Sequence, residues 1–347
     1  MPLSNDQIQA ISLEVIKTLY SRFEKFPVNA ENNRNAPFHK AFLNAFSDKL
    51  EGKVSDIPFF ISLSSWLHGL NTTLGQSFFE NVAHILSGGQ KKSFTKKTTL
   101  LKITTKQKEN IAQIITDLKN GNKKPDLEAE NKLIFINEGE EIEANAFTVD
   151  VFIQDDNSII CIELKTVKPN AGEMRGEKQK ILEAKAALYH TFPNKKIEYY
   201  MGFPFDPTSE TDTGYDKERF LAQIIDSTKY FDTEEILLAG ELWNFLSSRP
   251  QTMEELLKII NNIAKPDFMD KYNKLTDATI PIEEKIKILS EWNIYTEIKI
   301  LKNGHKIKNL IENNGRLKRL YHSDIFQEGK YNWRRANALL QILNKEV

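Results

Sequence analysis

A chain of 347 residues, 40% hydrophobic and 27% charged, is long enough for one large domain or two modest ones with real cores. It holds no apolar run near the roughly 18–20 residues that cross a bilayer, and its opening, MPLSNDQIQAISLEV, has no basic-then-apolar leader pattern. The single cysteine, Cys161, excludes an internal disulfide framework and a multi-cysteine zinc site, and fits a reducing, cytoplasmic setting.

The N-terminal part reads as helices. Ser4 is placed to cap a helix carrying Ile8, Ile11, Val15 and Leu19. A second helix over 36–50 follows Pro37, with Phe38, Phe42 and Phe46 on one stripe. The apolar, aromatic stretch Ile57–Leu70 is expected to pack inside. Residues 74–87 predict an amphipathic helix ended by Gly88-Gly89. Residues 90–108, rich in lysine and threonine, predict a loop or ribbon, and a helix follows over 106–119.

From residue 131 the period changes. LIFI (133–136), FTVDVFI (147–153), IICIELK (159–165) and IEYYMGF (197–203) predict strands, with turn chemistry at Asp155, Asp156 and Asn157. A helix over 173–190 separates the last two. Strand, strand, strand, helix, strand is a compact mixed α/β unit. After a polar loop at 206–216, helices are expected at about 216–227, 233–248 and 251–264. Pro266 and Pro281 bracket a boundary between a large domain, 1–280 (core 131–205), and a small basic helical region, 281–347.

The net charge of −1 hides an uneven distribution. Lys and Arg outnumber Asp and Glu by 11 to 5 over 91–132 and by 10 to 4 over 301–347, whereas 133–300 is acidic, 19 to 31. Two basic segments beside an acidic one suit a phosphate-binding rim around a metal site; solvated helix surfaces are the alternative.

Within the acidic stretch stands Asp150, then Glu163-Leu164-Lys165. Strand alternation points Glu163 and Lys165 to one face, and the turn at 154–158 can bring Asp150 beside Glu163. Two carboxylates and an amine on apolar strands need compensation, since unpaired buried charges cost several kcal/mol. Mg²⁺ supplies it: it accepts carboxylates, keeps waters and meets phosphate oxygens. A salt-bridged hairpin is the other reading. No P-loop or dinucleotide fingerprint appears, so no nucleotide cofactor is expected. The six histidines show no metal-ligand spacing.

This pattern resembles the PD-(D/E)XK nuclease superfamily, although Thr148-Val149-Asp150 lacks its proline. The segment ELKTVKPNAGEMRGEKQKILEAKAAL (163–188), with LGQSFFENVAHIL (74–86), is similar to type II restriction endonucleases of the TdeIII-like family. The resemblance implies a mixed central sheet flanked by helices with helical N- and C-terminal additions. It also implies Mg²⁺-dependent double-strand cleavage of DNA at a GGNCC-like palindrome, leaving 5′-phosphates. Asp150 and Glu163 would be metal ligands and Lys165 the catalytic lysine. Glu80, on the helix before the sheet, is a further ligand candidate or a solvated surface acid. A palindromic target calls for a homodimer.

Phosphate contacts are expected from Lys168, Arg175, Lys178 and Gln179 beyond the E-x-K strand, and from Lys91, Lys92, Lys96, Lys97 and Lys102. At the C-terminus, Arg316, Lys318, Arg319, Trp333, Arg334 and Arg335 are candidates. Rival readings are a repair or structure-specific nuclease and a DNA-binding module with a degenerate core.

Overall fold

The computed structural model describes residues 2–27, 37–53, 57–166, 171–224 and 226–344. They group into two compact units: Phe79–Glu255, and Pro2–Phe78 together with Leu256–Val347. This differs from the expected division at residue 280. Gln9 on the N-terminal helix Asn5–Phe23 exchanges two hydrogen bonds with Thr296, and Tyr20 packs on Tyr272 at 4.7 Å between centroids. The N-terminal helices therefore share a core with the C-terminal ones.

The Phe79–Glu255 unit is built on a five-stranded mixed sheet. Helix α1 (Phe79–Ser87) ends at Gly88, whose positive φ closes the helix, and leads into β1 (Gln90–Phe94). Strand β2 (Lys102–Thr104) is followed by α2 (Thr105–Asn120), α3 (Leu127–Ile134) and β3 (Glu141–Glu143). Then come β4 (Phe147–Gln154), β5 (Ser158–Leu164), α4 (Ala171–Thr191) and β6 (Lys196–Phe203). Short helices α5 (Lys217–Ala222) and α6 (Ser227–Tyr230), strand β7 (Ile236–Leu238) and α7 (Gly240–Ser247) complete it. The main sheet runs β1-β4-β5-β6-β7, and β2 pairs with β3 separately.

Local chemistry sets this topology. Asp155 Oδ1 accepts the Asn157 and Ser158 amides, both at 2.7 Å, closing the tight turn that makes β4 and β5 antiparallel. Strands β5 and β6 are parallel, so they need a crossover, and α4 is that crossover. Its Ile181, Leu182, Ala184, Ala187 and Leu188 are fully buried, as are Val149, Val151, Ile159, Cys161, Ile162 and Met201 on the strands. Helix α4 packs with α2 and α3, and α1 packs with α7 and β4.

Three expected elements differ. LIFI is not a strand: Leu133 and Ile134 end α3, which Asp126 caps by accepting the Ala129 amide. Gln107 then takes the Ile134 and Ile136 carbonyls, satisfying the end of that helix. The helix expected over 233–248 is a 3₁₀ turn, the three-residue strand β7 and then α7. Helix Ile57–Thr73 has no buried residue, because its apolar side chains are spread around the axis rather than gathered in a stripe. Among the described residues no helix is long and apolar enough to cross a membrane.

Candidate active site

The hairpin register Val151↔Ile162 carries Asp150 to the level of Glu163. The Leu164 amide donates to Asp150 Oδ2 at 3.0 Å, fixing the carboxylate at the seam of the two strands. His84 Nε2 on α1 donates to the Asp150 carbonyl at 2.7 Å and pins the same residue from the helix side. Beyond β5 the ladder continues for one bond, from the Lys165 amide to the Gly202 carbonyl. Lys165 is thus held by the sheet rather than by a free loop, and its Nζ lies 3.4 Å from Glu163 Oε1. The structure brings Asp150, Glu163 and Lys165 together.

Glu80 joins them through a lysine. Lys91 Nζ on β1 lies 2.8 Å from Glu80 Oε2 and 3.3 Å from Asp150 Oδ1. The Glu80 hydrogen bond, and then the nearby Asp150 charge, raise the Lys91 pKa against the opposing effect of burial. Lys91 is therefore an internal counter-ion rather than part of a free phosphate-tracking loop. From α4, Glu177 and Lys180 turn in: Glu177 Oε1 is 2.8 Å from Lys165 Nζ, and Lys180 Nζ is 2.9 Å from Glu163 Oε2. Tyr199 on β6 is buried, and its hydroxyl has no hydrogen-bond partner. Burial first and the charge of Glu163 next push its pKa up.

The charges are strongly coupled. Burial raises the Glu163 pKa, Lys180 opposes it and Asp150 adds to it. Burial works against the Lys165 ammonium, but the Glu177 hydrogen bond and the Glu163 charge outweigh it, so its pKa stands above the ordinary value.

Among the described residues no three His, Cys, Asp or Glu side chains converge as a closed metal cage. A two-carboxylate set suits a hard cation that keeps most of its waters, as Mg²⁺ does. Glu163 Oε2 fits that role, since it is buried without a hydrogen bond, with the Lys180 ammonium 2.9 Å away and Lys165 at the other oxygen. In this structure lysines supply the positive charge at both carboxylates.

A family model described as "Type II restriction endonuclease, HinfI" matches residues 3–264. The type II restriction enzyme MjaII of Methanocaldococcus jannaschii is 43% identical over 372 aligned positions, which cover 99% of each chain. The chain belongs to the HinfI family of type II restriction endonucleases. The matching model is thus HinfI's and not that of the TdeIII-like family, while the type II restriction class agrees with the expectation.

In this member of the HinfI family the expected phosphate contacts divide sharply. Lys178 is fully buried on α4, 2.5 Å from Glu130 Oε2 and 2.7 Å from Glu235 Oε2, so it cannot meet DNA. Lys185, two turns further along the same face, is also buried without a hydrogen bond, and burial lowers its pKa to about 8. Arg335 is buried too, with Nη1 at 2.6 and 2.7 Å from the Glu297 oxygens. Lys92 lies over the Phe152 ring at 4.0 Å, Lys96 faces Glu143 at 3.7 Å and Lys102 pairs with Glu141 at 2.7 Å. Lys97, Arg175, Gln179, Arg316, Lys318, Arg319, Trp333 and Arg334 are exposed. Lys168 lies outside the described residues.

Glu177 and Lys180 stand at the candidate site, and sequence reading did not single them out. A signal was present. Each stands one turn before a buried apolar residue of α4, Ile181 and Ala184, and so leans toward the packed side.

Proposed function

We propose that this chain is a Mg²⁺-dependent type II restriction endonuclease of the PD-(D/E)XK kind, which makes double-strand breaks in DNA and works as a homodimer in the cytoplasm. The observation that carries the reading is the convergence of Asp150, Glu163 and Lys165 on two adjacent strands of a family member. Asp150 and Glu163 would hold the cation, with Glu80 close enough to assist through displacement of Lys91. Bound there, Mg²⁺ acidifies a water and neutralises charge on the phosphate.

The protein's own groups do the rest. Lys165, kept as an ammonium, donates to a phosphate oxygen and holds the nucleophilic water in line with the scissile bond. Water attacks phosphorus and the P–O3′ bond breaks. The 3′-oxygen leaves with the proton that the attacking water gives up, and the phosphate stays on the 5′ end. Exposed Lys97, Arg175, Gln179, Arg316, Lys318, Arg319 and Arg334 contact the backbone without reading bases. The HinfI family assignment carries no target sequence, so a GGNCC-like palindrome rests on the segment resemblance alone.

Incubation of the purified chain with plasmid and Mg²⁺ tests this. Discrete fragments with 5′-phosphate ends are expected, and sequencing those ends gives the site and stagger. Asp150→Asn and Lys165→Ala should each cut at least ~10²-fold more slowly, the scale of losing one electrostatic contact to the reacting group. A smear of random products, or variants that cut like the parent, would overturn the reading.

A further inference from the structure

Helix α4 adds an acid and a base to the strand-borne site. Glu177 and Lys180, one turn apart, meet Glu163 and Lys165 in a ring of alternating charge. Lys165 Nζ is 2.8 Å from Glu177 Oε1 and 3.4 Å from Glu163 Oε1. Lys180 Nζ is 2.9 Å from Glu163 Oε2 and 3.8 Å from Glu177 Oε2. Glu177 therefore makes the closer contact with the Lys165 amine. The exposures separate the two lysines: the Lys165 side chain is 17% exposed and Glu177 15%, while Lys180 is 30% exposed and has room to swing into solvent.

The two acids differ in what they are free to do. Glu163 is a cation ligand in the reading above, and the contact nearest its Oε2 is Lys180. A cation engaging Glu163 competes with Lys180 and draws negative charge away from Lys165. Glu177 stands on another element, α4, and is free to keep its hydrogen bond to the amine while Glu163 is occupied.

We propose that Glu177 is the positioning residue for Lys165, the anchor that holds its amine at the reacting phosphate when Glu163 is engaged elsewhere. This rests on the nuclease reading of the same site. The ring also explains why a carboxylate stands so close to a site for anionic DNA: without it, the buried lysine would have only the acid that the cation must share.

The test compares Glu177→Ala and the isosteric Glu177→Gln with the parent chain. Three quantities are measured: single-turnover cleavage of supercoiled plasmid with Mg²⁺, retention of a labelled plasmid fragment without divalent cation, and melting temperature. Glu177→Ala is expected to cut about 100-fold more slowly, the effect of a roughly 1 Å misplacement, with DNA affinity not weakened. Glu177→Gln keeps an oxygen acceptor for Lys165 and should recover to within about tenfold of the parent. Both variants should stay folded well above the assay temperature, the glutamine variant melting closer to the parent than the alanine one. Parent-like cleavage by Glu177→Ala, a glutamine variant no better than alanine, or rate losses that merely track falling stability would each overturn the role. A parent chain that cuts nothing would instead overturn the nuclease reading itself.

Discussion

Two lysines one residue to either side of Gln179 have different fates. Lys178 is sealed between Glu130 and Glu235, whereas Lys180 reaches Glu163 in the candidate site. Sequence shows a run of alternating charge at 173–180 and cannot say which members turn inward, because the deciding carboxylates lie on α3 and before β7. The core triplet was legible for the opposite reason: strand alternation and one tight turn fix Asp150, Glu163 and Lys165 locally. Removing one partner of a buried ion pair strands the others, which costs about 3–5 kcal/mol. Lys178→Ala should therefore lower the free energy of unfolding in urea by about that amount. Exposed Arg175→Ala on the same helix should stay within ~0.5 kcal/mol. Equal, small losses for both would mean that the buried trio is hydrated and not a closed network.

At the scale of elements, β4, β5, α4 and β6 were readable because each carries its own period and punctuation. Strand β7 was not: Ile236, Leu237 and Leu238 are all buried, so no alternation separates a short, fully buried strand from a helix turn. Helix α3 had a legible cap in Asp126, but LIFI outweighed it, and only the distant Gln107 shows how its end is satisfied. The sheet also imposes a constraint through Gly202. A Cβ there would stand 2.9 Å from Ile162 Cγ2, 3.0 Å from Leu242 Cδ1 and 3.1 Å from Leu164 Cδ2. The same residue's carbonyl holds the Lys165 amide. Gly202→Val should cost about 1–3 kcal/mol by overpacking and should displace Lys165 as well. Thr104→Ala, which removes the cap of α2, should cost about 1 kcal/mol and leave the site alone. Cleavage rates measured well below both melting points should fall for the valine variant only. Matching rates would show that Lys165 does not depend on this register.

Across the whole molecule, several members of the basic segments that promised a phosphate rim have internal partners. Lys91, Lys92, Lys96 and Lys102 meet carboxylates or aromatic rings of their own unit, and Arg335 is locked to Glu297. A charge count cannot distinguish a lysine or arginine that neutralises its own protein from one offered to DNA, and here that distinction removes buried Arg335 from the expected rim. What survives at the C-terminal end includes Arg334 and the helix Gly315–Tyr321, where Arg316, Lys318 and Arg319 are all exposed. If these three meet phosphates, each releases counterions on binding and contributes about −0.9 to the slope of log affinity against log salt. Replacing all three by alanine should then weaken binding to a plasmid fragment and flatten that slope by about 2 to 3 between 50 and 200 mM salt. The single-turnover rate at saturating DNA should stay at the parent value, because none of the three belongs to the catalytic set. An unchanged slope would mark this helix as solvated surface and leave the backbone contacts to the unit that carries the active site.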